Sequence, residues 1–135
     1  MTDSVADPIR YARDVVGKDP MASFLGIVVE EVREGYARTS LAIRPEYLNA
    51  VDRAHGIAVL AAADQALAVA SNSTGSRALS LQINISYVTA ALPGETITAE
   101  AIPVSRGKKV SHWRVEVRGA DGRLVATCEG ITYHK

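Results

Sequence analysis

The chain has 135 residues, of which 47% are hydrophobic, and its fifteen Lys and Arg balance fifteen Asp and Glu to a formal net charge of zero. This length and apolar content favour one folded domain, residues 1–135, and exclude a disordered chain. The neutral balance argues against a general nucleic-acid binder. The single cysteine, Cys128, excludes an internal disulfide framework and a cysteine-based metal cage.

Residues 1–23 predict an N-terminal helical segment. Acidic residues come first and no continuous apolar stretch follows, so we do not expect a secretory signal. Apolar residues at Val5, Ile9, Ala12 and Val16 have the spacing of a short amphipathic helix, and Pro20 opens a further helical turn. With only one cysteine in the chain, a reducing cytoplasm is the expected location.

The rest of the chain predicts two strands, one long helix and about four more strands. Residues 25–32 and 36–43 have strand character and flank a turn signal at Glu34-Gly35. Four further strand-like stretches follow the helix, at residues 78–88, 95–105, 110–119 and 124–134. Short turns containing glycine join the later strands. This order predicts an α+β protein with an antiparallel sheet of about five to six strands.

The helix, 55-HGIAVLAAADQALAVAS-71, is apolar nearly all round, which predicts that the sheet wraps around it. Its longest apolar run, residues 57–70, is interrupted by Asp64 and Gln65. That run is shorter than the ~20 residues needed to cross a bilayer, so no membrane association is expected. Because a single layer of sheet leaves its edges and the ends of the helix only partly covered, we expect a homodimer.

Asp64 raises the functional question, because an unpaired carboxylate is costly to bury. One explanation is a structural ion pair with an arginine such as Arg53 or Arg77. The other is catalytic, since a helix that begins near His55-Gly56 presents free N–H groups that can polarise a carbonyl. Asp64 lies eight residues after Gly56, roughly 12 Å along the axis. Two antiparallel copies can bring both groups to one bond, so the spacing predicts an active site shared across a dimer.

Three segments together resemble the hotdog-fold acyl-CoA thioesterases of the phenylacetic-acid-degradation type. They are 48-LNAVDRAHGIAVLAAADQALAVASNS-73, 83-INISYVTAALPGETITAEA-101 and 105-SRGKK-109. The resemblance implies a hotdog fold, dimers that commonly form tetramers, and a substrate bound at the dimer interface. It matches Asp64 to the catalytic acid and Gly56 to the N–H that polarises the thioester carbonyl. It also implies supporting roles for His55 and Asn49, while Ile57 replaces the second glycine of the family motif and alters the acyl or pantetheine site.

The resemblance further implies a site for the coenzyme A phosphates. The turn Arg106-Gly107-Lys108-Lys109 is the first candidate and Arg77 the second, the alternative being a solvated basic turn. Ser71 and Asn72, at the far end of the helix, are candidates for contact with water or the acyl group, or else they cap the helix. For Ser73 we expect a cap.

The expected reaction is hydrolysis of an acyl-CoA thioester, aromatic such as phenylacetyl-CoA or short to medium chain, to a free acid and coenzyme A. No cofactor is expected beyond the coenzyme A of the substrate. Asp64 would act as general base on water, or attack directly to give a mixed anhydride. Two alternatives stay open: an acyl-CoA-binding module with little turnover, and a hotdog-type dehydratase or hydratase that pairs His55 with Asp64 across the dimer.

The remaining reactive side chains have plainer interpretations. No set of His or acidic residues has metal-ligand spacing, so no metal is expected. Cys128 is expected to be a small core residue. His112 is expected at the surface or an edge, and His134 in a frayed terminus.

Overall fold

The computed structural model describes residues 5–135. Within that range three α-helices are present: α1, Pro8–Tyr11, which continues as a π-helical turn over Ala12–Val16; α2, Pro20–Leu25; and α3, Gly56–Ser71. Six strands accompany them: β1, Val28–Arg33; β2, Tyr36–Ala42; β3, Ala78–Tyr87; β4, Thr96–Arg106; β5, Val110–Arg118; and β6, Leu124–His134.

The six strands form one sheet in the order β1-β2-β4-β5-β6-β3, and every pairing is antiparallel. Helix α3 packs against the sheet, and both contribute to one core whose largest fully buried side chain is Trp113. The predicted α+β architecture, an antiparallel sheet around one long helix, is confirmed. Strands β1 and β3 are the two edges of the sheet.

Helix α3 begins and ends where polar side chains satisfy its terminal backbone groups. Nδ1 of His55 accepts a hydrogen bond from the Ile57 N–H at 3.1 Å, so the imidazole is the N-cap. At the other end, the Asn72 amide donates to the Ala68 carbonyl at 2.9 Å. The Ser73 hydroxyl donates to the Ala70 carbonyl at 2.7 Å, which confirms its expected capping role.

The N-terminal segment is attached to α3 by Gln65. This side chain is buried, and its amide donates to the Val16 carbonyl at 2.8 Å, which explains one of the two polar residues in the helix. The helix predicted from Val5 instead begins at Pro8, because Asp7 accepts from the Arg10 N–H at 3.2 Å and caps it there. Residues 1–4 of the predicted 1–23 segment lie outside the described residues, and the single-domain assignment stays a prediction.

Three sequence expectations about isolated side chains can be compared with the fold. Cys128 is 1% exposed and belongs to the core, and His112 is at the surface, as predicted. The expectation for His134 was wrong: it is only 6% exposed, and its Nε2 lies 2.7 Å from the Ser111 hydroxyl. Strand β6 stays paired with β3 and β5 as far as this residue, which prevents fraying. No helix among residues 5–135 is long and apolar enough to span a bilayer.

Candidate functional site

Asp64 has no hydrogen-bond or ion-pair partner within residues 5–135, and its side chain is exposed. The two arginines proposed as partners are engaged elsewhere. The Arg53 guanidinium donates to the Asp52 carbonyl at 3.1 Å, and that of Arg77 lies over the Tyr11 ring at 5.8 Å from its centroid. The structural ion pair of Asp64 with Arg53 or Arg77 is therefore not formed within one chain.

The surroundings of Asp64 raise its pKa above the usual value for an aspartate. Burial by neighbouring atoms is the largest cause, and the negative charge of Asp19 is the second. Around it, the part of α3 left uncovered by the sheet is otherwise apolar, formed by Ile57, Leu60, Ala61 and Ala68. We call these four residues with Asp64 the open stripe of α3. A carboxylate in this stripe is partly desolvated before any ligand or second chain covers it.

The beginning of α3 offers one free backbone donor. The carbonyl of His55 accepts hydrogen bonds from the N–H groups of Ala58 and Val59, at 2.9 and 3.3 Å. The Ile57 N–H is bound to the His55 ring. Gly56 is left as the residue at this helix start whose N–H has no partner in the described chain. A free N–H at the positive end of a helix can stabilise a developing negative charge on oxygen.

The loop before α3 is organised by Asn49. Its side-chain oxygen accepts from the N–H groups of Val51 and Arg53 at 3.0 and 3.1 Å, and its own N–H donates to the Arg53 carbonyl at 2.7 Å. Asn49 therefore shapes the loop that delivers the chain to Gly56. Its side chain also lines a cavity beside that residue.

Three cavities surround the exposed side of α3. The Gly56 cavity, of about 480 Å³, is lined by Asn49, Arg53, Gly56, Val59 and Tyr87 among others. The Ile57 cavity, of about 230 Å³, lies on the other flank of the helix start and is mostly apolar, with Leu25, Leu41, Tyr47 and Ile57 in its wall. The Arg77 cavity, of about 400 Å³, lies beside the second half of the helix and includes Asp19, Ala68, Arg77, Ser80 and Lys135.

The residues selected from the sequence fall into separate groups in one chain. Asn49, His55, Gly56 and Ile57 lie together at the start of α3, while Asp64 lies two turns further along the helix. Within one chain the rise of the helix keeps the Asp64 carboxylate far from the free Gly56 N–H, so the two groups cannot act on the same bond. Their roles in a reaction stay predictions.

Ser71 and Asn72 are buried at the end of α3 and are engaged within the chain. The Ser71 hydroxyl donates to the Ala68 carbonyl at 3.2 Å. The Asn72 side chain accepts from the Ala78 N–H at 2.9 Å and donates to the Ala78 carbonyl at 3.2 Å, which joins the helix to β3. These bonds give both residues a structural role, and contact with substrate stays a prediction.

The basic turn Arg106-Gly107-Lys108-Lys109 is exposed and lies at the end of the sheet where α3 terminates. Arg106 pairs with Glu34 at 3.2 Å, and the neighbouring Gly35 N–H donates to Ser73 just beyond α3. Within one chain this turn and Gly56 are therefore at opposite ends of the helix. Arg77 lies beside the far end of the open stripe, in the cavity that also includes Ala68.

Two residues that the sequence interpretation missed lie close to these groups. The Tyr87 hydroxyl donates to the Gly56 carbonyl at 2.9 Å, although the two residues are far apart in the chain. Asp19 raises the pKa of Asp64. Only Asp19 carried a sequence signal, since Asp followed by Pro20 is typical of a helix N-terminus. Within residues 5–135 no group of three His, Cys, Asp or Glu is arranged to hold a metal.

Comparison with known proteins places this arrangement in a family. Residues 52–126 match the thioesterase superfamily. Acyl-coenzyme A thioesterase PaaI from Escherichia coli is 30% identical over 115 residues, which cover 85% of this chain and 82% of that protein. A protein from Archaeoglobus fulgidus is 36% identical over 115 residues, which cover 85% of this chain and 75% of that protein.

Solved structures agree with the sequence relatives. The E. coli PaaI protein from the phenylacetic acid degradation operon superimposes with a TM-score of 0.90 at 26% identity, covering 96% of this chain and 94% of that chain. A single-substitution variant of the phenylacetic acid degradation protein PaaI from Thermus thermophilus gives a TM-score of 0.83 at 32% identity, covering 87% and 100%. The chain therefore belongs to the thioesterase superfamily and is a thioester hydrolase with the hotdog fold of the PaaI type.

Proposed function

We propose that this acyl-CoA thioesterase works in sites shared by two copies of the chain, with Asp64 of one copy facing Gly56 of the other. One observation carries the proposal: Asp64 is unpaired and exposed on the open stripe of the same helix whose first N–H is free. A second copy running antiparallel would cover the stripe and bring each acid to the partner's helix start. The site is incomplete without that copy.

Strand β3 supports the proposed assembly because it is an unprotected sheet edge. Its ten residues, ALSLQINISY, include no charged residue, proline or glycine, and Leu79, Leu81 and Tyr87 are exposed. The other edge, β1, carries Glu30, Glu31 and Arg33 in six residues, the kind of charge that protects an edge. Antiparallel pairing of two β3 strands would set the Arg77 cavity of one copy opposite the Gly56 cavity of the other. A tetramer would then form from two such dimers.

In the proposed reaction the Gly56 N–H and the positive end of α3 hold the thioester carbonyl oxygen. Asp64 of the facing copy takes a proton from water, whose oxygen forms a bond to the carbonyl carbon. The negative charge moves to the carbonyl oxygen, where one such donor is worth about 2.7–4 kcal/mol in other enzymes. Collapse breaks the carbon–sulfur bond, and the proton on Asp64 passes to the departing thiolate. Direct attack by the carboxylate to form a mixed anhydride is the alternative route.

We propose an aromatic acyl group such as phenylacetyl, or a short to medium aliphatic one, and no cofactor besides the substrate's coenzyme A. The Ile57 cavity, at about 230 Å³, exceeds the roughly 150 Å³ that encloses benzene in an engineered core. The E. coli relative from the phenylacetic acid degradation operon also favours an aromatic acid. For binding the coenzyme A phosphates, Arg77 is the better placed candidate, because it lies nearer the open stripe than the basic turn does. A reducing cytoplasm suits the buried free thiol of Cys128.

Two observations bear on the other functions. Ile57 is 69% exposed at the helix start, where it adds a branched side chain next to Gly56 in place of the family's second glycine, and this favours a binding module with little turnover. A hydratase needs His55 as a proton carrier at carbon. Nδ1 of this ring accepts from the Ile57 N–H, so in the neutral imidazole the proton lies on Nε2, which can donate a proton but cannot remove one from carbon. This makes hydratase chemistry the weaker candidate.

The test measures thiol release from a panel of aromatic and aliphatic acyl-CoA esters by the wild type, Asp64→Asn and the exposed-acid control Asp121→Asn. Loss of a general base lowers kcat by about 10²–10⁴-fold, whereas the control should match the wild type. Equal turnover in Asp64→Asn would contradict the assignment. Tight ester binding without turnover in any variant would establish the binding module instead.

Mixing two inactive variants tests the shared site. A heterodimer of Asp64→Ala and Gly56→Val has one site that carries both substitutions and one that carries neither. Random exchange between symmetric dimers makes half of them heterodimers, so about a quarter of wild-type activity should return. Sites built within one chain would give no recovery.

A further inference from the structure

The peptide that joins Gly56 to Ile57 is held at both of its polar ends. Its carbonyl accepts from the Tyr87 hydroxyl at 2.9 Å, and its N–H donates to Nδ1 of His55 at 3.1 Å. In the preceding peptide, the His55 carbonyl accepts from Ala58 and Val59. The polar backbone groups on either side of the Gly56 N–H are therefore fixed, while that N–H itself has no partner among residues 5–135.

Gly56 leaves the space into which Tyr87 reaches, and its own backbone conformation does not call for glycine. Its φ does not lie in the positive region, unlike those of Gly26, Gly35 and other turn glycines. A Cβ built on Gly56 would lie 2.8 Å from the Tyr87 hydroxyl oxygen and 2.9 Å from Cζ, closer than real Cβ contacts. The missing side chain at the first residue of α3 is therefore what allows the Tyr87 ring to lie this close.

Tyr87 is placed to act on the helix start without being part of the core. It is the last residue of the edge strand β3, is 53% exposed and lines the Gly56 cavity. Burial raises the pKa of its hydroxyl above the usual value, so the group stays protonated and able to donate at neutral pH. A core residue would stabilise the fold through the apolar surface that it buries, whereas this half-exposed ring contributes one directed hydrogen bond.

We propose that Tyr87 is a positioning residue for thioester hydrolysis, because its hydroxyl holds the first peptide of α3 and so keeps the Gly56 N–H directed at the substrate carbonyl. This inference rests on the function proposed above. It also explains why Gly56 and Tyr87 occur together: a side chain at residue 56 would displace the ring and break the bond that orients the donor.

The test is Tyr87→Phe, with Tyr133→Phe as the matched control. The control removes the hydroxyl of another partly exposed tyrosine, in β6, and this hydroxyl makes no hydrogen bond within residues 5–135. Because one directed hydrogen bond is worth up to a factor of ~10, kcat in Tyr87→Phe should fall about 10-fold while KM changes less than twofold. Tyr133→Phe should match the wild type in both constants.

A spectroscopic measurement separates positioning from a general loss of structure. In the Asp64→Asn background, bound substrate persists long enough to record the infrared stretch of its thioester carbonyl. The Gly56 N–H should shift this band to lower frequency, and adding Tyr87→Phe should return it toward the free-ester frequency while adding Tyr133→Phe should not. A merely structural role for Tyr87 would lower the melting temperature without moving the band.

The outcomes distinguish this inference from the function on which it rests. Wild-type kcat in Tyr87→Phe, or an unmoved carbonyl band, overturns the positioning role even where Asp64→Asn is inactive. Full turnover in Asp64→Asn overturns the proposed catalytic acid instead, whatever Tyr87→Phe does. A fall in kcat with unchanged KM and a shifted band supports both.

Discussion

The depth at which α3 lies on the sheet depends on the contact between Gly130 and Leu67. A Cβ at Gly130 would lie 2.6 Å from Cδ2 and 3.3 Å from Cδ1 of Leu67, which has no exposed surface. Carbon atoms normally pack at about 3.5–4.0 Å, so the overlap with Cδ2 is close to 1 Å. Leu67 cannot relieve it by turning outward. We expect Gly130→Ala to lower the free energy of unfolding by about 2 kcal/mol, as overpacking does.

The double variant Gly130→Ala with Leu67→Ala tests whether the overlap with Leu67 causes the loss of stability. Leu67→Ala alone should cost about 3 kcal/mol by leaving a cavity. In the double variant the overlap is gone and the new methyl fills part of that cavity, which recovers about 0.8 kcal/mol. The sum of the single effects is about 5 kcal/mol, whereas the double variant should lose only about 2–3 kcal/mol.

The assay is urea unfolding followed by tryptophan fluorescence, which reports on the buried Trp113. All four proteins must be compared at one chain concentration, because the proposed assembly would contribute to apparent stability. Additive losses in the double variant, or a Gly130→Ala variant as stable as the wild type, would refute the reasoning. Thioesterase activity measured alongside would show whether raising α3 from the sheet also displaces Asp64.

Three further predictions follow from the charges and burial of single groups. Asp19→Asn keeps a helix-capping side chain but removes the charge that helps raise the pKa of Asp64, so the acid limb of the pH–rate profile should move to lower pH. Asp7→Asn, at another cap, should leave it in place. Burial lowers the pKa of His134, so below the usual histidine pKa the folded state binds fewer protons than the unfolded state. The free energy of unfolding should therefore fall as the pH drops below about 6.5. His134→Gln should flatten this pH dependence. The thiol of Cys128, with its pKa raised to about 11 by burial and the charge of Asp64, should resist alkylation at pH 8 until the protein unfolds.

Periodicity and turn residues were sufficient to predict most of the fold. The 16-residue helix was predicted within a residue of its bounds, Gly56–Ser71, because a continuous apolar run of this length flanked by His55 and Asn72 has few structures open to it other than a helix. The strands were recovered because glycine-containing turns separate them. The predicted start of the N-terminal helix was wrong, since Asp7 and Pro8 set that boundary locally.

The candidate site was harder to predict because its groups are joined by contacts distant in sequence. Whether Asp64 pairs with Arg53 or Arg77 depends on where two loops place those cations, which no local pattern records. Tyr87 reaches Gly56 only after β3 has been placed beside the helix. His134 was misjudged because pairing along β6, not its position in the sequence, determines its burial.

The uncharged edge strand β3 also affects the risk of aggregation during synthesis, before the proposed dimer forms. Its pairing partner within the chain, β6, follows it by two intervening strands, so during synthesis β3 is made well before either edge can be covered. A ten-residue segment without charge, proline or glycine is the type of sequence that stacks into cross-β fibrils. Rapid completion of the sheet, and pairing of β3 in the proposed dimer, would therefore protect this enzyme from aggregation, whereas partial unfolding would expose it to that risk.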